Sequence, residues 1–252
     1  MKNAVITGAG QRLGHAMALA LAERGYDLAL HCHHSVQNTE NLARDCHRLG
    51  RKAVVISADL SEESAAAHIL EKARSALGPV HCLVNNAALY REDSLEDFTL
   101  EQWEQQLAIN LRTPALLCQA LVNQLPQDSQ GCIINMLDQR VAAPTGMFFT
   151  YTLSKCGLSD MTAMLARSLA PRVRVNAIAP GLTLPSNGQS QAQFREAQGK
   201  TLLGTGPGPD DIVRALVYLL DSPVVTGETL FVDGGERYQE HPLDSHTPSG
   251  TA

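Results

Sequence analysis

Short apolar runs alternate with amphipathic stretches along nearly the whole chain. The runs at 3–7, 28–33, 53–57, 81–85, 132–136, 174–179 and 229–232 have the length of strands. Between them, apolar residues recur every three to four positions over 13–24, 36–49, 61–77, 100–123, 150–170 and 209–221, which predicts helices. Strands this apolar must be covered on both faces. The expected fold class is α/β: a single-domain, Rossmann-like, doubly wound sheet of about seven parallel strands with helices on both faces. No internal repeat and no second domain interrupts the pattern. A catalytic domain is expected over 1–237, followed by a polar tail at 238–252. Residues 184–208, rich in Gly, Pro, Ser and Gln, follow a strand carboxyl end; they read either as a flap over a ligand or as a plain surface loop.

Composition narrows the function classes. A chain of 252 residues, 44% hydrophobic and 18% charged, is long enough for one well-buried core. The net charge of −6, with no basic block, argues against nucleic acid as a partner. No apolar run approaches the roughly 20 residues of a membrane span, and the first residues read as a strand rather than a leader. A cytoplasmic protein is expected. The six cysteines (32, 46, 82, 118, 132 and 156) have no CxxC spacing and read as free buried thiols of a reducing compartment.

The first strand runs into Thr7-Gly8-Ala9-Gly10-Gln11-Arg12-Leu13-Gly14 and then a helix. A glycine-rich loop opening a helix gathers backbone N–H groups at the positive end of the helix dipole, where a pyrophosphate binds. One residue more than in GxGxxG precedes the last glycine. In dinucleotide sites an acid closing the second strand holds the ribose 2′-hydroxyl of NAD. Here that strand ends in His31-Cys32-His33-His34-Ser35. Without an acid, and with Arg12 nearby, this end suits a 2′-phosphate; histidines that merely pack or face solvent, or a metal cluster, are the alternatives, and no metal is expected because no partner ligand cluster appears. Asp59-Leu60 follows the third strand, where the carboxylate either accepts from an adenine amino group or helps start the next helix, with Ser61 as N-cap. Asn85-Asn86-Ala87 ends the fourth.

Tyr151 and Lys155 are four apart on a predicted helix and share a face. A cation beside a phenol lowers its pKa from about 10 and suits it to acid–base work. Asp138, just past the fifth strand, reads either as a proton-holding carboxyl or as a turn residue.

Together these residues resemble the short-chain dehydrogenase/reductase family over nearly the whole chain, from Thr7 to the closing Val232-Asp233-Gly234-Gly235. The resemblance implies that Tyr151 is the general acid, that Lys155 binds the nicotinamide ribose and lowers the tyrosine pKa, and that Asn110 holds a water of a proton relay. It implies an NADP(H) site made by Gly8, Arg12, Leu13, His33, His34, Ser35, Asp59, Leu60, Asn86, Ala87, Ala88, Tyr151, Lys155, Pro180, Gly181 and Thr183. Two departures, Arg12 for Gly and Asp138 for Ser, resemble the pteridine reductase branch, with its TGxxxRxG loop and Asp–Tyr–Lys set. HCHHS is similar to that branch's His-x-His-Arg-Ser. Tyr90 falls where the branch stacks an aromatic on the pterin, so Arg12, Tyr90, Asp138 and Tyr151 are the implied substrate contacts. His34 stands where the branch has Arg, and Ala88 and Leu89 replace polar residues.

The expected activity is therefore NADPH-dependent hydride transfer to a pteridine C=N bond of the dihydropterin or dihydrofolate class. Carbonyl reduction, reduction of another cyclic imine and non-catalytic NADP-binding regulation are the rivals. The partner is expected to be a small heterocycle, and the resemblance implies a homo-oligomer, a tetramer, built on the helices near 100–123 and 150–170.

Overall fold

The computed structural model describes residues 2–186 and 188–239. It contains seven strands: β1 (Lys2–Ile6), β2 (Tyr26–Cys32), β3 (Ala53–Ser57), β4 (Cys82–Asn85), β5 (Gly131–Met136), β6 (Val173–Pro180) and β7 (Thr229–Val232). All pair in parallel, in the order β3-β2-β1-β4-β5-β6-β7. The order reverses between β1 and β4, which opens a crevice at the strand carboxyl ends. The helices are α1 (Arg12–Glu23), α2 (Val36–Arg48), α3 (Ala65–Leu77), α4 (Leu100–Leu107), α5 (Thr113–Gln124), α6 (Phe149–Leu169), α7 (Gln191–Gln198) and α8 (Pro209–Asp221).

Side chains alternate across each strand, so one sheet feeds two cores. Ile6, Leu28 and Leu30 pack on one face against Met17 and Leu21 of α1, Leu42 of α2 and Leu216 of α8. Val5, Ala29, Leu83 and Ile133 pack on the other against Ile69 and Leu70 of α3 and Leu117 and Leu121 of α5. Every residue of β2 is buried. Truncating a fully enclosed leucine such as Leu21 to alanine costs roughly 2–5 kcal/mol. Among the described residues no helix is long and apolar enough to cross a membrane. Five of the six cysteines are buried and all are free.

Three expected elements differ. Helix α3 starts at Ala65 rather than 61, with Ser64 at its N-cap, because Asp59 folds residues 59–61 into a tight turn instead. The single helix expected over 100–123 is three pieces. A capping box of Thr99 and Gln102 starts α4, a wider π-helical turn spans Ala108–Arg112, and α5 carries Pro114 in its first turn. Proline offers no N–H to the carbonyl four residues back, and the helix widens there. Within 184–208 lies α7, opened by a capping box of Ser190 and Gln193. Of the polar tail expected at 238–252, residues 240–252 lie outside the described residues, while Tyr238 closes a short 3₁₀ turn, Glu236–Tyr238.

Candidate active site

The crevice between β1 and β4 is a cleft of about 660 Å³ lined by Gly8, Arg12, Leu13, His33, His34, Ser35, Asp59, Leu60, Asn86, Ala87 and Ala88. The structure thus brings eleven of the expected binding residues to one surface. Pro180, Gly181 and Thr183 are not on it. They leave the end of β6, where the Gly181 N–H donates to the Val232 carbonyl at 2.9 Å and the Thr183 hydroxyl to the Gly181 carbonyl at 2.8 Å.

The loop after β1 is built around absent side chains. Gly8 turns the chain with φ +65°, and a Cβ on Gly14 would lie 2.1 Å from the Gly8 carbonyl oxygen. The Thr7 hydroxyl oxygen accepts the N–H groups of Asn86 and Ala87, each at 2.9 Å, which ties this loop to the end of β4. Asn86 Nδ2 donates back to the Thr7 carbonyl at 2.8 Å. Arg12 has φ 52°, a left-handed conformation at a position where the resembled family carries glycine. Its guanidinium donates to the carbonyls of Pro185 and Leu184 at 2.9 and 3.3 Å, joining the loop to the start of the 184–208 segment.

At the other end of the cleft, the His33 and His34 rings stack with centroids 3.6 Å apart. His33 Nε2 lies 3.7 Å from Asp59 Oδ2. Asp59 Oδ1 accepts the N–H and the hydroxyl of Ser61, both at 2.8 Å. The Ser61 N–H bond first, and the nearby histidines after it, hold the Asp59 carboxyl below its ordinary pKa. Ser61 is therefore a donor to Asp59, and the alternative that made it the cap of the next helix does not hold, since Ser64 stands at the N-cap. Among the described residues no three His, Cys, Asp or Glu side chains converge as a metal site would need.

The catalytic candidates meet beyond β5. The Tyr151 hydroxyl donates to Asp138 Oδ2 at 3.1 Å, and Asp138 Oδ1 accepts the Arg140 N–H at 2.9 Å, with the Arg140 guanidinium 3.6 Å away. Tyr151 and Lys155 share the buried face of α6, 5% and 2% exposed. Lys155 Nζ donates to the Met136 carbonyl at 2.7 Å and sits 5.8 Å from the Tyr151 ring centre. Burial lowers Lys155 to about 8, against the opposing pull of Asp138. One expectation is overturned here. Tyr151 is not lowered toward neutrality by the lysine; burial, and then the Asp138 charge and hydrogen bond, raise it well above 10. The carboxylate is at hydrogen-bond distance, whereas the ammonium is turned to a backbone carbonyl.

Asn110, for which the resemblance implied a place in a water relay, is fully buried in the π-helical turn. Its amide donates to the Leu89 carbonyl at 2.9 Å and to the Ser154 hydroxyl at 3.0 Å, and its oxygen accepts the Leu89 N–H at 2.8 Å. Both donors are spent, and the side chain clamps the 87–90 strand exit to α6. Tyr90 is half exposed. Its ring stacks on Phe148 (4.5 Å, 13°) and stands edge-on to Tyr151 (4.8 Å, 86°).

Four further residues belong to the site without a sequence signal of their own. Phe148, in the left-handed region at φ 53°, carries the Arg140 guanidinium 4.8 Å above its ring, opposite Asp138. Asp93 accepts the Thr150 N–H at 3.1 Å and so anchors the start of α6. Glu236, pushed upward in pKa first by burial, accepts the Leu182 N–H at 2.8 Å beneath Asp138 and Arg140.

Comparison with known proteins gives this geometry a setting. The family model for short chain dehydrogenase matches residues 2–196. Among solved structures the chain is similar to the FolM alternative dihydrofolate reductase 1 of Brucella canis complexed with NADP. Identity is 35%, 97% of this chain and 98% of that chain are covered, and the TM-score is 0.91. Among curated proteins it is 34% identical over 245 residues to an uncharacterized oxidoreductase of Mycobacterium tuberculosis, covering 93% of this chain and 91% of the relative. It is also 31% identical over 243 residues to the 2-dehydro-3-deoxy-D-gluconate 5-dehydrogenase of Escherichia coli, covering 93% and 94%.

Proposed function

The chain belongs to the short-chain dehydrogenase family and is an oxidoreductase, and from that premise we propose that it is an NADPH-dependent reductase of the C=N bond of a dihydropterin or dihydrofolate. The observation that carries this reading is the hydrogen bond from the Tyr151 hydroxyl to Asp138, 3.1 Å, beside the buried Lys155. A serine hydroxyl, usual in the resembled family, can donate to a carbonyl oxygen; an ionised carboxylate only accepts. The Asp138 arrangement instead holds Tyr151 protonated and oriented. That suits a substrate whose nitrogen takes a full proton as hydride reaches the neighbouring carbon. The solved relative's dihydrofolate reductase name supports the same class.

The cleft fits a dinucleotide phosphate. Gly8 and Gly14 leave no room for side chains where the loop turns into α1, and Arg12, His33, His34 and Ser35 line the cleft. NADPH held by these residues would supply the hydride for the carbon of the C=N bond. Tyr151 gives its proton to the nitrogen, and Lys155, still charged below about pH 8, offsets the phenolate that remains. Asp138 holds the phenol protonated; the O–H turns from the carboxylate to the substrate nitrogen to give up its proton, and the carboxylate relays a solvent proton back to Tyr151. Tyr90 offers a half-exposed ring beside Tyr151 for a flat heterocycle. Arg12 contributes N–H donors at the cleft mouth.

Steady-state NADPH oxidation with dihydrobiopterin, dihydromonapterin, dihydrofolate, an acetoacetyl thioester, a keto sugar acid and a simple cyclic imine tests the assignment, with NADH in parallel. Turnover on the pterins, at least about a hundredfold above the others in kcat/KM, is expected. Turnover confined to the thioester or the sugar acid would leave an oxidoreductase of the family and refute the pteridine reading.

A further inference from the structure

Beneath the phosphate loop lies a buried histidine that the reaction does not use. His31, near the end of β2, is 2% exposed. Its Nδ1 accepts the Gly8 N–H at 3.2 Å, and its Nε2 lies 3.1 Å from the Ala58 carbonyl oxygen. A backbone N–H can only donate and a carbonyl can only accept, so these partners require a neutral ring with its hydrogen on Nε2. Gly8 is the residue at which the chain turns out of β1, and Ala58 follows β3. One imidazole thus joins the carboxyl ends of three neighbouring strands at the floor of the cleft.

We propose that His31 is a positioning residue for the cofactor: neutral, it fixes the Gly8 amide and the loop that receives the pyrophosphate; protonated, it turns a second N–H against that amide and loosens the loop. The proposal rests on the reading of the cleft as an NADPH site. The ring lies where protonation is resisted. Burial is the strongest influence and lowers its pKa from 6.5, with the Ala58 carbonyl opposing. Of the charged and titratable groups facing it, His33 just past the end of β2 disfavours the imidazolium and Asp59 beyond β3 favours it. Residues Thr7, Gly8, Ala9 and Gly10 of the loop carry no titratable side chain. The neutral ring, and the loop it holds, are in place at pH 6.5 and above and are lost only as pH falls through the ring's own, lowered pKa.

NADPH binding to the full chain, followed by cofactor fluorescence between about pH 5 and pH 8.5, provides the test for the native protein, His31→Phe and His31→Asn. Phenylalanine keeps a flat ring without an acceptor; the asparagine oxygen stands where Nδ1 stands and does not titrate. At about pH 8, His31→Phe should bind roughly tenfold more weakly than the native protein, the worth of one buried hydrogen bond. That ratio should close toward one in acid as the native ring protonates, and His31→Asn should overtake the native protein there. The cofactor phosphates are common to all three proteins and cancel in the ratio. A ratio for either variant that does not change with pH overturns the proposal, and His31→Asn alone decides it if His31→Phe does not fold. A native protein that fails to bind NADPH at about pH 8 overturns the cofactor reading and this proposal together, whereas tight binding with pH-independent ratios overturns this proposal only.

Discussion

Raising the pH should disable this enzyme through Lys155 before Tyr151 gives up its proton. Lys155 is enclosed by β5 and α6, with one donor on the Met136 carbonyl, and burial brings it from 10.5 to about 8. That difference corresponds to roughly 3 kcal/mol against the ammonium, with no solvent screening to discount because the group is buried. Tyr151 is moved the opposite way, well above 10, by burial and by Asp138. When Tyr151 donates its proton to substrate, the phenolate left behind is offset by Lys155 only while that lysine is charged. The pH profile of kcat/KM reports ionisations of the free enzyme and is the proper assay. It should be level near neutrality and fall tenfold per pH unit above about 8. Lys155→Met should lower kcat/KM by roughly 10²-fold or more and remove that limb. Since the folded-state value is depressed, the unfolded chain holds the extra proton between about 8 and 10.5, so this lysine lowers stability below that window and ceases to do so as pH rises through it. Lys155→Met should accordingly melt above the native protein at neutral pH. A limb near pH 10, or one near 8 that survives in Lys155→Met, would refute this assignment of charges.

Three further outcomes follow from the same geometry. Tyr151→Phe should lose roughly 10²–10⁴-fold in turnover while its NADPH dissociation constant, from fluorescence titration, stays within about threefold of native; near-native turnover would remove Tyr151 from the mechanism. Gly14→Ala puts a Cβ 2.1 Å from the Gly8 carbonyl oxygen and 2.7 Å from Asn86 Nδ2, so the protein should lose about 1–3 kcal/mol in chemical denaturation and bind NADPH poorly. Arg12→Ala frees the Leu184 and Pro185 carbonyls, so limited proteolysis should cut faster near 184–186 and the NADPH-to-NADH preference in kcat/KM should shrink; an unchanged preference would take Arg12 out of phosphate recognition.

Much of the scaffold is written in local sequence. Strands β3 and β7 have the bounds that their apolar runs predict, although both lie at the edges of the sheet and are only partly buried. Helix α7 was also legible: Ser190 followed three residues later by Gln193 is a capping box, masked by the Gly, Pro and Gln around it. The divided helix at 100–124 was foreshadowed by Pro114, but a hydrophobic period does not register a single widened turn. The cleft residues come together because the carboxyl ends of β1, β2, β3 and β4 lie side by side, whereas Pro180, Gly181 and Thr183, after β6, lie off that cleft. Charge balance was not legible in the same way. The spacing of Tyr151 and Lys155 shows that they share a face. Only the fold shows that Asp138, from the turn after β5, is the nearer charge to the phenol, and that Lys155 is turned to Met136. The packing of Tyr90 on Phe148, and of Arg140 over Phe148, likewise joins residues with no periodic relation.

The most direct test of the central claim is to follow the hydride itself. NADPH deuterated at the transferring C4 position is incubated with dihydrobiopterin or dihydrofolate and the protein, and the product is examined by mass spectrometry. A reduced pteridine carrying one deuterium on carbon, formed by the native protein and nearly absent with Tyr151→Phe, is the predicted result. NADPH consumption without deuterium in the pteridine, or with the label found only in a ketone supplied beside it, would contradict the account.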